Sequence, residues 1–466
     1  MSDSSSPSAF FQYRYYFDIT LMFGDGSTMT PIRVNSVQET GNYHKDFFSY
    51  FEVEFLISRQ DSMKIYKNQL NTTVHLIKTA YKYRTPSVDP TNMVIDQSAT
   101  DTYHEELESQ IKELDIVMIP IFSHDSFPTN LPEEEWENDK TAADPNPESG
   151  ISNRLMDTVP ISINMVLYSQ SALVTNKGAN INAVLKNCLP ATALAWAISS
   201  SGVQKAIVDT PDNNYQEDFI ILLPYNLRNT IHMIQNNYGL YKDSLVAFLD
   251  FDTLYVLNKF GSAHDFANGD KPFTVINFHD PKKTPIFLST LDESNNAYQF
   301  HVSSNPNPID IRTLAGELVG DQIIATNLQM AIGSIVSKDG KFVGYNPAAA
   351  AIDRQVDSHS ASGNKIRFEY DETNNMFLLS SFMRELSVKQ SMSFHIPNVY
   401  TQAFKANKII TLNFPQSALK QQKYGGNYTI IDTHIGYLPI KPTSGSEMVA
   451  SATVNVQTLS QDHVSS

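Results

Sequence analysis

Residues 10–37, FFQYRYYFDITLMFGDGSTMTPIRVNSV, decide the fold. Phe10 to Phe23 is rich in the aromatic and β-branched residues that suit a half-buried pleated surface, and it predicts one long strand. Gly24 to Ser27 predicts a turn, because glycine tolerates positive φ at little cost. Pro31 to Val37 then predicts a second strand. The chain therefore opens as β structure.

The segments that follow extend this pattern. Phe47 to Ile57 predicts a third strand, since Phe51, Val53 and Phe55 alternate with polar residues. Arg59 to Leu70 predicts a short helix from its apolar spacing of three and four residues. Thr73 to Tyr83 returns to alternation, with Val74, Leu76 and Lys78 on one face. Strands interrupted by a single helix predict a small β-barrel.

Later segments alternate between helical and strand-like patterns. Pro224 to Gly239 predicts a helix that ends at a glycine. Leu245 to Asn258 reads as strand with a possible break near Asp250. Asn180 to Ser199 predicts helix broken at Pro190. Lys365 to Leu438 is strongly strand-like.

The predicted fold class is mainly β with α+β insertions, in which two small β-barrels are joined by mixed α/β domains. The predicted parts are a first barrel from residues 1–86 with 114–170, polar or acidic insert loops at 87–113 and 126–154, an α/β cassette at 171–258, a mixed connecting domain at 259–364, a second barrel at 365–442 and a flexible tail at 443–466.

Charge and composition exclude some classes of protein. The net charge of −16 argues against a protein that grips nucleic acid, because such proteins need a basic face. An acidic surface would repel DNA and so suit a channel through which DNA passes, but a net negative charge also serves to keep a large protein soluble. Cys188 has no partner for a disulfide within the chain, so we expect folding in a reducing cytoplasm. We expect neither a secretory signal nor a membrane span.

Motifs for chemistry are weak. His104 and Glu105 begin HEELE, which lacks the second histidine of a zinc-binding helix. There is no phosphate-binding glycine loop and no nucleophile elbow. Asp250 to Leu254, DFDTL, resembles the first motif of haloacid-dehalogenase phosphohydrolases but lacks its spacing and partner motifs. We expect no catalytic residue, metal or cofactor. A tail lysin stays open, because 50 acidic residues always supply candidate pairs.

Two segments carry a family resemblance. From Glu217 an acidic lead-in precedes a helix striped by Leu227 and Ile231, and Gly239 and Tyr241 then lead into a strand. This order resembles a cassette of baseplate hub proteins of contractile-tailed phages, the phage late control protein D family and the related spike hubs of type VI secretion.

The second segment is Lys408 to Pro439. Gly426 and Tyr428 start an alternating strand that reaches His434. This segment resembles barrels of the hub family, which run strand, loop and then a Gly-x-Tyr-x-Val element that is followed shortly by histidine. The motif residues of the two segments are expected to have structural roles, namely Glu217, Leu227, Ile231, Gly239, Tyr241, Gly426, Tyr428 and His434.

The resemblance implies a hub without a catalytic site. It implies a homotrimer whose paired barrels match a sixfold tail tube to a threefold spike, with baseplate wedge proteins as neighbours and DNA passing through an acidic lumen. The expected location is the virion tail, after assembly in the host cytoplasm. The alternatives are a tube terminator, a wedge protein or, in another class, a tail-associated lytic enzyme.

Overall fold

The computed structural model describes residues 10–42, 47–85, 106–123, 160–177, 181–242, 244–259, 273–280, 290–294, 297–309, 323–326, 336–338, 341–343, 367–370, 391–405, 408–440 and 447–458. Among them, no helix is long and apolar enough to cross a membrane.

Strands dominate the described residues, which confirms the predicted mainly β fold with α+β insertions. The strands are β1 (Phe10–Phe23), β2 (Thr28–Met29), β3 (Arg33–Asn42), β4 (Tyr50–Ile57), β5 (Thr72–Thr85), β6 (Glu106–Phe122), β7 (Ile161–Ser169), β8 (Ile181–Cys188), β9 (Lys205–Val208), β10 (Glu217–Tyr225), β11 (Leu245–Asp250), β12 (Thr253–Asn258), β13 (Phe273–Phe278), β14 (Thr290–Ser294), β15 (Ala297–Val302), β16 (Asn307–Ile309), β17 (Ile323–Thr326), β18 (Val336–Lys338), β19 (Lys341–Val343), β20 (Arg367–Tyr370), β21 (Ser391–Pro397), β22 (Ile409–Asn413), β23 (Gly426–Pro439) and β24 (Met448–Thr458).

Short helices join some of these strands. The α-helices are α1 (Arg59–Asn68), α2 (Gln170–Lys177), α3 (Pro190–Ser200), α4 (Leu227–Asn237) and α5 (Ala418–Tyr424), with 3-10 turns at Gln69–Asn71 and Thr401–Phe404. Helix α1 begins where the Ser58 hydroxyl accepts a hydrogen bond from the backbone N–H of Asp61. Helix α4 begins at Leu227 rather than at the predicted Pro224, because the Asn226 side chain caps it in the same way.

A single 15-stranded sheet forms most of the described fold. Within it, β1, β5, β6, β7, β4, β3, β23 and β24 pair in that order, and each neighbouring pair is antiparallel. Strand β24 also pairs with β1, where Met448 lies opposite Tyr15, and this pairing closes the eight strands into a ring. These strands form the first ring.

Side chains fill the first ring. The aromatic rings of Phe17 on β1 and Phe51 on β4, four strands apart around the ring, lie 6.4 Å apart. Phe17 also contacts Tyr437 of β23 at 4.8 Å. The inward side chains of these strands are buried in one hydrophobic cluster, and an eight-stranded barrel has an interior just wide enough for such contacts.

The same sheet closes a second time. From β1 the path runs through β14, β15, β13, β22 and β23 to β24, and it includes parallel pairings of β13 with β15 and with β22. Strand β21 pairs along the same edge of β24 as β1, and β16 pairs with β21. This second ring shares β1, β23 and β24 with the first, so both rings belong to one sheet.

An α/β subdomain between β7 and β13 has its own core. Strand β8 pairs with β10, while β9, β12 and β11 form a second small sheet. Helix α4 packs over these strands through a buried apolar stripe. The backbone N–H of Ser49 donates to Leu249 O at 2.9 Å and thereby ties the subdomain to the first ring.

The predicted flexible tail at 443–466 is wrong for residues 447–458. Strand β24 pairs with β23 along one edge and with β21 and β1 along the other. Its inward residues are buried, namely Met448, Ala450, Ala452, Val454 and Val456. Their alternation is regular, but they are small, so the segment resembles a polar tail when only large apolar groups are counted.

Other predicted limits also change. The segment 181–188 is strand β8 and not helix, and the helix begins only at Pro190, which fits a first helical turn. The predicted insert loop 87–113 is wrong from Glu106 onward, where β6 pairs with β5. The second ring is not confined to 365–442, the limits predicted for the second barrel, since it includes β13 to β15. The acidic insert at 126–154 lies outside the described residues.

Candidate functional site

The first group of predicted motif residues lies in the α/β subdomain. Leu227, Ile231 and Tyr241 are fully buried in its core. Gly239 follows α4 with φ of 77°, a left-handed conformation that favours glycine. Glu217 opens β10, where partial burial and then the charge of Asp218 raise the pKa of its carboxyl. The group therefore shapes the subdomain core.

Hydrogen bonds fix the turn after α4. The Tyr241 hydroxyl donates to Asp209 O at 2.8 Å and to Val256 O at 3.2 Å. The Gln235 side chain accepts from the backbone N–H groups of Leu240 and Tyr241 and donates to Tyr241 O at 2.9 Å. Sequence reasoning missed Gln235, because an interior helical glutamine carries no recognisable pattern.

Replacement of Tyr241 by phenylalanine should lower the free energy of unfolding by about 1–2 kcal/mol, because it removes the hydroxyl group that donates to Asp209 O and Val256 O. Tyr225 is a matched control, since it is 40% exposed and its hydroxyl removal should have little effect. Urea unfolding measures the free energy of unfolding of Tyr241→Phe and Tyr225→Phe. Equal stability of the two variants would contradict the structural role of the Tyr241 hydroxyl.

The second group of predicted residues lies on β23, away from the subdomain core. Gly426 begins the strand at φ of 136°. Tyr428 is buried and its hydroxyl donates to Tyr424 O at 2.8 Å. His434 is exposed, with Nδ1 3.5 Å from the hydroxyl of Thr40 on β3. Strand β23 runs through both rings, so these residues lie along their shared wall.

The DFDTL segment forms the hairpin between β11 and β12. Asp250 accepts hydrogen bonds from the Ser49 hydroxyl at 3.1 Å and from Lys405 Nζ at 3.3 Å. Phe251 stacks on Phe51 of the first ring with 5.0 Å between ring centroids, and its carbonyl accepts from the Ser169 hydroxyl at 2.7 Å. Through these contacts the DFDTL hairpin holds the α/β subdomain against the first ring.

Candidate metal ligands do not cluster in the described residues, where no group of three or more histidine, cysteine, aspartate or glutamate side chains could hold an ion. His104 and Glu105 lie outside the described residues. Cys188 is half-buried beside Glu217, and burial followed by that negative charge raises the pKa of its thiol, which favours the unreactive protonated form.

A buried ionic cluster lies inside the first ring. Lys78 Nζ is 2.9 Å from an oxygen of Glu39 and 2.9 Å from an oxygen of Glu113, and these side chains are only 3%, 11% and 1% exposed. Lys78 also donates to the Thr401 hydroxyl, and the Tyr437 hydroxyl donates to Glu39 at 2.7 Å. The cluster joins β3, β5, β6 and β23 across the interior.

Electrostatics favour the charged form of this cluster. Burial alone would lower the pKa of Lys78, yet Glu113 and Glu39 raise it well above its ordinary value. Burial would likewise raise the pKa of Glu39, but Lys78, Lys405 and the Tyr437 hydroxyl hold it below its ordinary value. One oxygen of Glu113 has no hydrogen-bond partner. The arrangement therefore links four strands of the first ring through a buried ion pair.

A pair of histidines lies in the second ring. His279 Nε2 is 3.2 Å from His301 Nδ1. Burial and then His279 lower the pKa of His301 to about 4, and burial lowers that of His279. The imidazole groups of both histidines are therefore neutral when the protein is folded at neutral pH.

This pair predicts a pH dependence. The unfolded chain binds a proton at His301 below about pH 6.5, while the folded chain resists it until about pH 4, so stability should fall as pH decreases through that window. Unfolding at pH 7.5 and pH 5 measures this loss. It should be smaller in His301→Asn than in the wild type, and an unchanged loss would contradict the assignment to His301.

Comparisons with known structures give weak likenesses. A tail protein from Neisseria meningitidis MC58 is 8% identical, with 95% of this chain and 97% of that chain covered and a TM-score of 0.44. A chain of the lidded Francisella PdpA-VgrG complex is 7% identical, with coverage of 97% and 53% and a TM-score of 0.44. A chain of the phage P2 baseplate in its activated conformation with Ca is 9% identical, with coverage of 96% and 100% and a TM-score of 0.29. Scores below 0.5 do not establish a shared fold.

Sequence comparison is more decisive. A search among curated proteins finds no match. The profile of the family described as Bacteriophage PBS1 gene 109 protein matches residues 145–456, which is more than half of the chain. The predicted resemblance to a phage protein family is thereby confirmed. The chain belongs to the family of the bacteriophage PBS1 gene 109 protein.

Proposed function

We propose that the chain is a structural protein of a phage tail and that it acts there as a baseplate hub. The observation that carries the proposal is the double closure of one sheet, in which β1, β23 and β24 serve two rings at once. Two fused barrel-like units on a rigid shared wall are suited to fixed spacing between neighbours. Membership of a phage protein family supports this role.

Three such chains would place two rings each around one axis. The rings differ, because the first is wholly antiparallel and the second contains parallel pairings. The assembly would therefore have threefold and not sixfold symmetry, with three rings of each kind, and six rings in all suit an adaptor between a sixfold tube and a threefold spike. Ring closure also leaves few free strand edges that could pair wrongly.

The charge of the chain suits the same role. A net charge of −16 would keep DNA from adhering to a hub whose inner wall carries part of that charge. The proposed neighbours are the tail tube protein, the central spike and baseplate wedge proteins. The proposed location is the tail of the virion, after assembly in the host cytoplasm.

Mass measurement by light scattering tests the hub. We expect a particle of about three times the chain mass of 52.3 kDa. A sixfold particle would favour a tube protein, and a monomer at micromolar concentration would contradict self-assembly as the basis of the function. A mass that is independent of concentration above the micromolar range would support a closed trimer.

A further inference from the structure

The α/β subdomain has an exposed apolar surface, the β8–β10 face, made by Val184, Phe219, Ile221 and Leu223. These side chains are 59%, 53%, 50% and 42% exposed. The residues between them on β10, Ile220 and Leu222, are fully buried in the subdomain core. The two-stranded sheet thus has apolar side chains on both sides, and among the described residues only the side with Ile220 and Leu222 is buried.

The first ring has a second exposed apolar surface, the β6 face, made by Val117 and Ile121 with the half-buried Val166 beside Ile121. Val117 and Ile121 are 49% and 50% exposed, while Met118 between them is fully buried. Val166 of β7 lies directly opposite Ile121 in the sheet, and Glu52 of β4 lies opposite Val166. This face ends in an exposed acidic side chain.

The two faces complement each other in charge. Lys186 lies over the ring of Phe219 on the β8–β10 face, with 5.6 Å from Nζ to the ring centroid. Glu52 borders the β6 face. A lysine at the margin of one apolar surface and a glutamate at the margin of the other can pair across a contact, which orients two such surfaces.

The contact would be between faces and not between strand edges. The backbone N–H of Ile221 already donates to the Tyr238 hydroxyl at 2.9 Å, which blocks ladder pairing at the middle of β10. Two different surfaces on one chain form a heterologous contact, and such a contact closes into a ring when the rotation between copies allows it.

We propose that the β8–β10 face of one copy packs against the β6 face of the next copy. This inference rests on the proposed hub, and it names the surfaces through which three copies close. Each copy then contributes one face to each neighbour. Both apolar patches become buried, and Lys186 of one copy meets Glu52 of the next.

Two variants and their mixture test this contact. Ile221→Asp disables the β8–β10 face and Ile121→Asp disables the β6 face. Each variant alone should be monomeric, so light scattering should give a mass one third that of the wild-type trimer. An equimolar mixture should form a 1:1 dimer, because one intact face of each kind remains. Leu419→Asp, at a position that is 80% exposed on α5, is the matched control and should stay trimeric.

Charge exchange gives an independent readout. Lys186→Glu should weaken the trimer, and the added change Glu52→Lys in the same chain should restore it. Circular dichroism confirms that each variant is folded. Should either aspartate variant fail to fold, Val184→Asp and Val117→Asp replace them at the same faces.

Distinct results overturn distinct claims. A trimer that survives in both aspartate variants overturns this contact and leaves the hub standing. Dissociation by Ile221→Asp alone, with no dimer in the mixture, overturns the heterologous arrangement. A wild-type chain that is monomeric overturns both the contact and the hub.

Discussion

Replacement of Lys78 by methionine is expected to lower the free energy of unfolding by about 3–5 kcal/mol, because it leaves two buried carboxylates without their cation. Lys78 contacts Glu39 and Glu113 inside the first ring, and Glu113 is almost fully buried. Methionine has a similar length, so lost packing contributes little. Chemical denaturation with fluorescence detection measures the change.

A second variant separates the charge from the shape of the side chain. Lys78→Met combined with Glu39→Gln and Glu113→Gln removes the charges together and should recover much of the lost stability. Lys112→Met is the control, since Lys112 pairs with Asp115 at the surface and should matter little. A loss below about 1 kcal/mol in Lys78→Met would mean that the cluster does not brace the ring.

Replacement of Val454 by aspartate should lower the free energy of unfolding by more than about 4 kcal/mol, since it places an unpaired charge in a closed apolar interior. Val454 is fully buried on β24, between β21 and β23. The expected result is a chain without a cooperative thermal transition.

Thr453 provides the matched control on the same strand. Its side chain alternates to the opposite face and lies near His395 at the surface. Thr453→Asp should therefore unfold at nearly the wild-type temperature. If Val454→Asp were also tolerated, β24 would not be part of the sheet and the double closure would be lost.

Alternation predicted much of the fold. The first strands and α1 lie close to their expected places, because a period of two residues marks a half-buried strand directly. The same pattern put Lys78 on the buried face with Val74 and Leu76, which was the sign of an interior charge. Its partners Glu39 and Glu113 could not be identified, because pairing across a ring depends on sheet closure.

The missed elements share a physical cause. Strand β24 is built from alanine and valine, and its stability comes from pairing on both edges rather than from large side chains. The sequence of β8 alone favours a helix, but folding brings it beside β10, a strand that is distant in sequence and pairs with it. Local propensity is weaker than such tertiary pairing.

The order and spacing of the motif residues predicted structural roles for them, and the three apolar and aromatic residues of the first segment lie in a buried core. Leu227, Ile231 and Tyr241 build the subdomain core, while the DFDTL hairpin clamps that core to the ring through Asp250 and Phe251. The exposed apolar faces could not be recognised in the sequence, because exposure of one side of a strand depends on which side the fold covers.

Electron cryo-microscopy of the purified assembly tests the central proposal most directly. The hub predicts three chains around a threefold axis, with two closed rings of strands from each chain and acidic side chains on the inner wall. A sixfold ring of chains, or a basic lumen, would contradict it.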